Sequence, residues 1–268
     1  MFSEYLARWG LTPDGEAITS HSSRLLPVRQ NGVAAMLKIA LIDEEKSGGV
    51  LMSWWNGDGA ARVLAGDGDA VLLERAEGRR SLAELARGGG DDEASRIICA
   101  VVARLHAPRD CQPPVLSPLS HWFQELEHAA TGHGGILIQA AASARELFRA
   151  PREVVVLHGD IHHGNVLDFG RRGWLAIDPK GVVGERGFDY ANLFCNPDPA
   201  AASAPGRLAR QATVVAEASG LERGRLLQWV LAYAGLSAAW FLEDGETPES
   251  RFAVAEAAAV ELKNCRLG

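Results

Sequence analysis

The chain has 268 residues, of which 47% are hydrophobic and 23% are charged, and its formal net charge is −7 at pH 7. This composition excludes a disordered chain and is typical of a soluble globular protein that is long enough for two lobes. The negative net charge argues against a nucleic-acid-binding protein, because such a protein carries a basic surface.

Two further features of the composition predict where the protein works. The four cysteines form no C-x-x-C pair, and residues 1–4 contain neither a basic nor an apolar export segment. Both observations predict a cytoplasmic protein with reduced thiols. The uncharged run 226–242 is shorter than the roughly 20 residues that cross a bilayer. We interpret it as a buried helix, and we expect a monomer without membrane contacts.

The N-terminal part of the chain predicts an antiparallel sheet followed by one helix. Alternating patterns favour strands over residues 16–20, 25–29 and 33–42, with an Asn-Gly turn at 30–32, and over 61–64 and 70–74. Lys38 is the one cation of an apolar strand. An inward-facing ammonium group needs an acidic partner, since burying it alone is costly. The predicted helix 43–55 offers Glu44 and Glu45; the alternative is a Lys38 that points outward.

The sequence contains no G-x-x-x-x-G-K-S/T motif, which excludes a P-loop enzyme, and no G-x-G-x-x-G between the first two strands. The hairpin 21–24 stands where such a loop would lie. Its Ser22 and Ser23 offer hydroxyl and backbone N–H groups to phosphate oxygens. The alternative interpretation is a plain hydrophilic turn.

The remainder of the chain is predicted to be mostly helical. Ser81 and Glu84 form a capping box that opens a short helix. Further helices are expected near residues 91–106, 117–130, 135–149, 203–218, 222–242 and 249–265. The glycine-rich segment 181–187 is predicted to be a mobile loop.

One polar stretch within this part carries the chemistry. The motif H-G-D-x-H-x-x-N supplies Asp160 and Asn165 between apolar runs, and Asp178 follows a turn and a third apolar run. A hairpin of two short strands would bring the three side chains together. Two carboxylates and an amide suit phosphoryl transfer, because one acid accepts the hydroxyl proton while oxygen ligands hold Mg²⁺. Protein kinases place an Asp and an Asn at the same offset.

Two alternatives to this interpretation are an ordinary polar loop and a zinc site. Zinc ligands would come from His158, Asp160, His162 and His163. A two-metal hydrolase would need histidines later in the chain, but none of the eight lies beyond His163. We therefore rank the zinc site below phosphoryl transfer.

The longer pattern resembles a known family. Residues 157–165, the run G-W-L-A-I-D-P at 173–179, the Gly-Glu pair 184–185 and F-D-Y-A-N at 188–192 are similar to the bacterial aminoglycoside 6-phosphotransferases, which are streptomycin kinases. The similarity runs from about residue 20 to the C-terminus. It implies an α+β, two-lobed protein-kinase-like fold, with a nucleotide-binding lobe at 1–76 and a catalytic and substrate-binding lobe at 77–268.

The resemblance also implies roles for single residues. It implies Asp160 as the base, Asn165 and Asp178 as Mg²⁺ ligands, and Lys38, paired with Glu45, on the nucleotide phosphates. Glu45 is preferred to Glu44 because matching the run W-W-N-G at 54–57 to the family pattern places the usual Glu at position 45. ATP is the expected nucleotide and GTP the alternative. The remaining nucleotide contacts are expected from Ser22 and Ser23 and from the hinge residues Glu74 and Ala76, while Asp189 is expected to be a structural anchor.

The expected substrate is a small cationic antibiotic. Trp240, Glu243 and Asp244 place an aromatic ring beside acids, which suits a guanidinium group; the alternative is an ordinary acidic helix end. The resemblance implies phosphorylation of the 6-hydroxyl of streptomycin's streptidine ring, and hence antibiotic resistance. Two readings stay open: a kinase of choline, a sugar amine, a macrolide or another hydroxyl compound, and a nucleotide-binding regulator without catalysis.

Overall fold

A computed structural model describes the chain from Phe2 to Leu267, apart from the side chains of Asp43, Glu44, Arg266 and Leu267. The choice of Glu44 as the alternative partner of Lys38 thus lies outside the described residues. The N-terminal elements are α1 (Ser3–Trp9), β1 (Leu11–Pro13), β2 (Ile18–Thr19), β3 (Ser23–Gln30), β4 (Val33–Ala40), α2 (Asp43–Trp55), β5 (Val63–Asp67) and β6 (Ala70–Glu74).

These strands form one antiparallel sheet with the order β1-β3-β4-β6-β5, and β2 pairs with β3. The predicted turn between β3 and β4 is present: Asn31 and Gly32 have φ angles of 50° and 83°, which an Asn-Gly hairpin turn requires. Short α1 and β1 precede the predicted strands. The apolar side of α1, with Leu6 and Trp9, packs against the core residues Val28 and Leu37 of the sheet.

The C-terminal part is mostly helical, as predicted. Its elements are α3 (Leu82–Leu85), α4 (Asp91–Leu105), β7 (Ser117–Pro118), α5 (Phe123–His133), α6 (Ile136–Arg149), β8 (Val154–Leu157), β9 (Val166–Asp168), β10 (Trp174–Ala176), β11 (Val182–Glu185), α7 (Phe188–Ala191), α8 (Pro199–Ala202), α9 (Arg207–Ser219), α10 (Arg223–Glu243) and α11 (Glu249–Leu267). The capping box is present, because the Ser81 hydroxyl accepts a hydrogen bond from the N–H of Glu84.

Helix α10 forms the centre of the helical part and contacts α5, α6, α9 and α11. It is the one helix, among residues 2–267, that is long and apolar enough to cross a membrane, but 72% of its apolar window is buried inside the protein. A helix that is apolar on all sides is expected in a large core. The interpretation of run 226–242 as a buried helix is therefore confirmed.

The prediction of a mobile loop at 181–187 is wrong. Residues Val182–Glu185 form β11, which pairs with β8 on one side and β7 on the other. Glu185 anchors this strand, because its buried carboxylate accepts hydrogen bonds from Arg225 Nε at 2.8 Å, Trp229 Nε1 at 2.9 Å and the N–H of Arg152 at 2.9 Å.

The hairpin β9–β10 connects the two parts of the chain. Its residues Phe169 and Leu175 share a core with Met52 of α2 and Leu73 of β6. The sheet therefore has α1 on one face and α2 with the hairpin on the other. The boundary between residues 76 and 77 stays a prediction.

Candidate active site

The loop 158–165 lies between β8 and β9 and is fixed at both ends. Asp189, at the start of α7, accepts hydrogen bonds from the backbone N–H of His158 at 2.8 Å and of Gly159 at 2.9 Å. Its carboxylate also meets His106 Nε2 at 2.8 Å. Burial alone would raise the pKa of Asp189, but His106 and these donors outweigh it and lower the pKa. This geometry matches the structural anchor expected for Asp189.

Asp160 is held by two side-chain amides. Asn165 Nδ2 donates to Asp160 Oδ2 at 3.1 Å and to its backbone oxygen at 2.8 Å, and Asn192 Nδ2 donates to Oδ1 at 3.0 Å. Because Asn165 donates through its nitrogen, its amide oxygen remains available for a cation. The carboxylate of Asp160 is thus fixed in direction before any ligand binds.

The hairpin β9–β10 brings Asn165 and Asp178 to the same end. Asn165 precedes β9, and its backbone oxygen accepts a hydrogen bond from the N–H of Ile177 at 2.9 Å. Asp178 follows directly, with a φ of 61° that turns the chain out of the hairpin. The strand before Asp160, β8, belongs to a different sheet, so the hairpin alone does not assemble the three residues as the sequence predicted.

Lys38 points inward and meets two acids. It forms ion pairs with Glu45 of α2 and with Asp178, and its side chain is 11% exposed. A second cation, Lys180, lies beside them, with Nζ 2.6 Å from Glu45 Oε1 and 3.7 Å from Asp178 Oδ2. Burial alone would raise the pKa of Asp178, but Lys38 and Lys180 outweigh it and lower the pKa.

A cleft of about 420 Å³ lies between the sheet and the hairpin. Asn165 and Asp178 line its floor. Ser22 and Ser23 line the same cleft, and the Ser22 hydroxyl donates to Glu45 Oε1 at 3.0 Å. The Ser23 hydroxyl lies 3.0 Å from that of Ser20, so the predicted phosphate loop is closed by its own hydrogen bonds.

The predicted hinge residues line this cleft too. Glu74 ends β6, and its backbone N–H donates to the oxygen of Arg62 at 2.9 Å. Ala76 also lines the cleft. The backbone N–H and C=O of Ala76 form no hydrogen bond with any residue that the structure describes, so both groups can bind a ligand.

The helical part contributes most of the lining of a second cavity, of about 350 Å³. Its lining consists of Trp122, Gly159, Asp160, Lys180, Tyr233 and Trp240. Trp240, one of the three predicted substrate residues, is part of this lining. Glu243 and Asp244, at the end of α10, are exposed and do not line this cavity. Asp160 belongs to the second cavity and its partner Asn165 to the first, so the two cavities meet at this pair.

The structure gives no support to the zinc alternative. Within residues 2–267, no three His, Cys, Asp or Glu side chains are placed to hold a metal ion. The His158 ring is engaged elsewhere, with Nε2 2.9 Å from the oxygen of Ile177 and Nδ1 accepting from the N–H of Asp160 at 3.2 Å.

The structure adds residues to the site that the sequence did not predict: Lys180, Trp122 and Tyr233 line the second cavity, and Asn192 donates to Asp160. Asn192 is the last residue of the quoted run F-D-Y-A-N, and Lys180 directly follows the quoted run that ends in D-P, so their positions offered a signal. The two aromatic residues come from distant helices, and no local pattern marks them.

The chain matches known proteins over most of its length. The profile of a family described as "Aminoglycoside/hydroxyurea antibiotic resistance kinase" matches residues 8–245. The chain is 55% identical to the streptomycin 3''-kinase of Klebsiella pneumoniae over 245 residues, 90% of this chain and 92% of the relative. It is 35% identical to the streptomycin 6-kinase of Streptomyces griseus over 270 residues, 94% and 86% of the two chains.

Solved structures of low identity share the fold. An amicoumacin kinase in complex with AMP-PNP and Ca²⁺ superposes with a TM-score of 0.65 at 12% identity, covering 98% of this chain and 93% of that one. An aminoglycoside phosphotransferase in ternary complex with AMP-PNP and hygromycin B gives a TM-score of 0.64 at 15% identity, covering 97% and 96%. The expected protein-kinase-like fold is confirmed.

Proposed function

Because the chain belongs to the aminoglycoside/hydroxyurea antibiotic resistance kinase family, we propose that it transfers the γ-phosphoryl group of ATP to a hydroxyl of streptomycin. One observation carries the proposal: Asp160 is fixed by Asn165 and Asn192 where the two cavities meet. A transferase needs its base at such a junction, between donor and acceptor. The consequence of the reaction would be antibiotic resistance.

The sequence identities to the two streptomycin kinases indicate which hydroxyl is phosphorylated. The motif resemblance implied the 6-hydroxyl of the streptidine ring. However, the 3''-kinase is 55% identical to this chain and the 6-kinase 35%. We therefore propose the 3''-hydroxyl, on the amino sugar, as the acceptor and keep the 6-hydroxyl as the second candidate. Both lie on the same antibiotic, so the position is decided by how streptomycin is oriented in the second cavity.

Asp160 would take the proton of the attacking hydroxyl. Its two oxygens already accept hydrogen bonds from amides, which holds the carboxylate in one orientation. Among the side chains that the structure describes, the nearest paired cation candidate is His162, with Nε2 3.9 Å from Asp160 Oδ2. Assistance by a positioned base contributes about 10²- to 10⁴-fold to a rate. Transfer joins the hydroxyl oxygen to phosphorus and releases ADP.

Mg²⁺ fits the donor set at the cleft floor. The amide oxygen of Asn165 and the carboxylate of Asp178 are hard ligands of the kind that Mg²⁺ prefers, and both line the cleft. When bound there with nucleotide, Mg²⁺ would neutralise charge on the β- and γ-phosphates. We propose Asn165 and Asp178 as the protein's metal ligands.

The remaining lining residues suit a nucleotide. Lys38, positioned by Glu45, is proposed to hold the α- and β-phosphates, and Ser22 and Ser23 to face the phosphate chain. The open backbone groups of Ala76, two residues after Glu74, are proposed to form hydrogen bonds with the nucleotide base. Adenine can both donate and accept hydrogen bonds with a backbone C=O and N–H of this kind. GTP remains the alternative nucleotide.

The second cavity suits a cationic sugar derivative. Trp240, Trp122 and Tyr233 present aromatic surface, and such faces attract guanidinium groups. Glu243 and Asp244 lie at the exposed end of the same helix, where they would attract the outer part of the antibiotic. Trp240, Glu243 and Asp244 remain proposals for the substrate contacts.

A coupled assay of ADP release tests the proposal. Streptomycin should stimulate ADP release in the presence of ATP and Mg²⁺. Choline, a macrolide and hydroxyurea are tested as other acceptors, and buffer alone is the blank. Stimulation by one of these instead would identify another acceptor of the same fold. No ADP with any acceptor would favour a non-catalytic nucleotide-binding regulator. Phosphorus–proton NMR of the product would then distinguish the 3''- from the 6-phosphate.

A further inference from the structure

Lys180 stands at the boundary between the two cavities. Its backbone N–H donates to the oxygen of His158 at 2.7 Å, which holds the residue behind the loop that carries Asp160. The side chain lines the second cavity together with Gly159 and Asp160. Its Nζ also lies 3.7 Å from Asp178 Oδ2, on the floor of the first cavity. One cation therefore reaches both the proposed metal ligand and the cavity of the proposed base.

The composition of the chain makes this lysine unusual. Only four lysines occur, at positions 38, 46, 180 and 263, against 23 arginines among the 27 basic residues. Two of the four, Lys38 and Lys180, lie together in the site with side chains that are 11% and 19% exposed. A lysine presents a compact point charge, whereas an arginine presents a wide planar fork. The site uses the rarer and smaller cation twice.

Pairing with Glu45 alone does not account for Lys180. Glu45 is already paired with Lys38, and its Oε1 also accepts the hydroxyl of Ser22. Lys38 also pairs with Asp178, so both acids already share one cationic partner, Lys38, even without Lys180. The four charges balance, two positive and two negative, before a nucleotide binds. A bound nucleotide would bring additional negative charge, which Lys180 is placed to meet on the acceptor side.

We propose that Lys180 is a catalytic cation that contacts the phosphoryl group while it passes from the nucleotide to the acceptor held beside Asp160. This inference rests on the proposed function. In the step, the bond from the γ-phosphorus to the leaving oxygen of ADP breaks and a bond to the acceptor oxygen forms. The hydroxyl proton goes to Asp160, and Lys180 keeps its own proton. Negative charge is spread over the equatorial oxygens of the transferred group, and a cation supplied there stabilises the transition state.

The decisive comparison is between the transition state and the ground state. For Lys180→Met we expect kcat to fall by about 10²- to 10³-fold, as for the loss of one transition-state donor. The affinity for ADP should change by less than about threefold, whereas the affinity for ADP with aluminium fluoride and acceptor, a mimic of the transferred group, should fall with kcat. Lys180→Arg should retain intermediate activity. Lys46→Met and Lys263→Met are matched controls, since both lysines lie outside the two cavities.

Two results would overturn the proposal: a kcat of Lys180→Met within about threefold of the wild type, or equal losses of affinity for ADP and for the aluminium fluoride mimic. The second result would assign Lys180 a structural role through Glu45. Thermal unfolding of each variant shows whether it folds, and Lys180→Arg replaces Lys180→Met if that variant does not. A wild type inactive on streptomycin would contradict the proposed acceptor instead, and Lys180 would then be tested on ATP hydrolysis by water.

Discussion

Asn192 Nδ2 donates a hydrogen bond to Asp160 Oδ1 across 3.0 Å. Asn192 is itself positioned, because its Oδ1 accepts from Asn196 Nδ2 at 2.8 Å. A residue that the loop motif does not contain therefore orients the proposed base. The chain of two amides leaves little rotational freedom to the carboxylate.

The first prediction concerns this contact. Asn192→Ala should lower kcat by about tenfold, since a base that loses its orientation loses part of its 10²- to 10⁴-fold contribution. The KM for ATP should change little, because Asn192 does not line the nucleotide cleft. Steady-state kinetics with both substrates measure kcat and the KM for ATP separately. A large rise in the KM for ATP with unchanged kcat would contradict the positioning role.

Asp160→Ala and Asp178→Ala should abolish measurable turnover while the protein remains folded. The first removes the proposed base and the second a proposed Mg²⁺ ligand. ADP release and circular dichroism measure the two properties. Asp110→Ala, at an exposed loop position, is the matched control. Full magnesium-dependent activity in Asp178→Ala would remove the metal assignment.

The pair Glu185–Arg225 should make the fold sensitive to acid. Burial alone would raise the pKa of Glu185, but Arg225, Trp229 and the N–H of Arg152 outweigh it and lower the pKa below its ordinary 4.5. A lowered carboxyl pKa contributes stability above the unfolded value, and this stability is lost as the pH falls through the folded value. The wild type should therefore lose stability below about pH 4.5.

Glu185→Gln tests this. At pH 7 the variant should be less stable by about 3 kcal/mol, since it leaves Arg225 buried without a counter-charge. Its stability should then depend less on pH below 4.5 than that of the wild type. Urea unfolding at several pH values measures both effects. Glu222→Gln removes an exposed acid paired with Arg152 and should change stability by less than about 1 kcal/mol; equal losses in both variants would count against the buried pair.

Trp240→Ala should weaken streptomycin binding. A cation–π contact contributes about 0.5 to 2 kcal/mol, so the KM for streptomycin should rise about 2- to 30-fold at nearly constant KM for ATP. Phe241→Leu is the control, because Phe241 faces Arg251 and does not line the cavity. An unchanged KM would exclude Trp240 from the substrate contacts.

The exposed acids at the end of α10 can be tested in the same assay. Glu243→Gln and Asp244→Asn should each raise the KM for streptomycin modestly, and more at low than at high salt, because exposed charges are screened. Glu246→Gln, beyond the helix, is the control. If neither variant moves the KM at low salt, the two acids form an ordinary helix end.

The sequence predicted those residues of the candidate site that a local pattern marks. Asp160, Asn165 and Asp178 stand close together in sequence, and Lys38 is marked by the apolar strand around it. The strands and the long helices follow from hydrophobic periodicity, and the turn follows from its Asn-Gly pair. For these features, local pattern and tertiary structure agree.

Features that depend on distant pairing were missed. Strand β11 has four residues, among glycines, and becomes a strand only because β8 and β7 lie on either side of it. Tyr233 and Trp122 reach the second cavity through helix packing that periodicity cannot describe. The ion pairs of Lys180 likewise depend on how α2 lies against the segment after β10.

Helix α10 supplies Tyr233 and Trp240 to the second cavity while most of its other residues fill the core of the helical part. Substitutions in α10 that adapt the second cavity to a new antibiotic would therefore also disturb the packing of the hydrophobic core. Changes of this kind cost stability when buried volume is altered. Variants with a broadened antibiotic range should thus accumulate together with second substitutions elsewhere that restore the melting temperature.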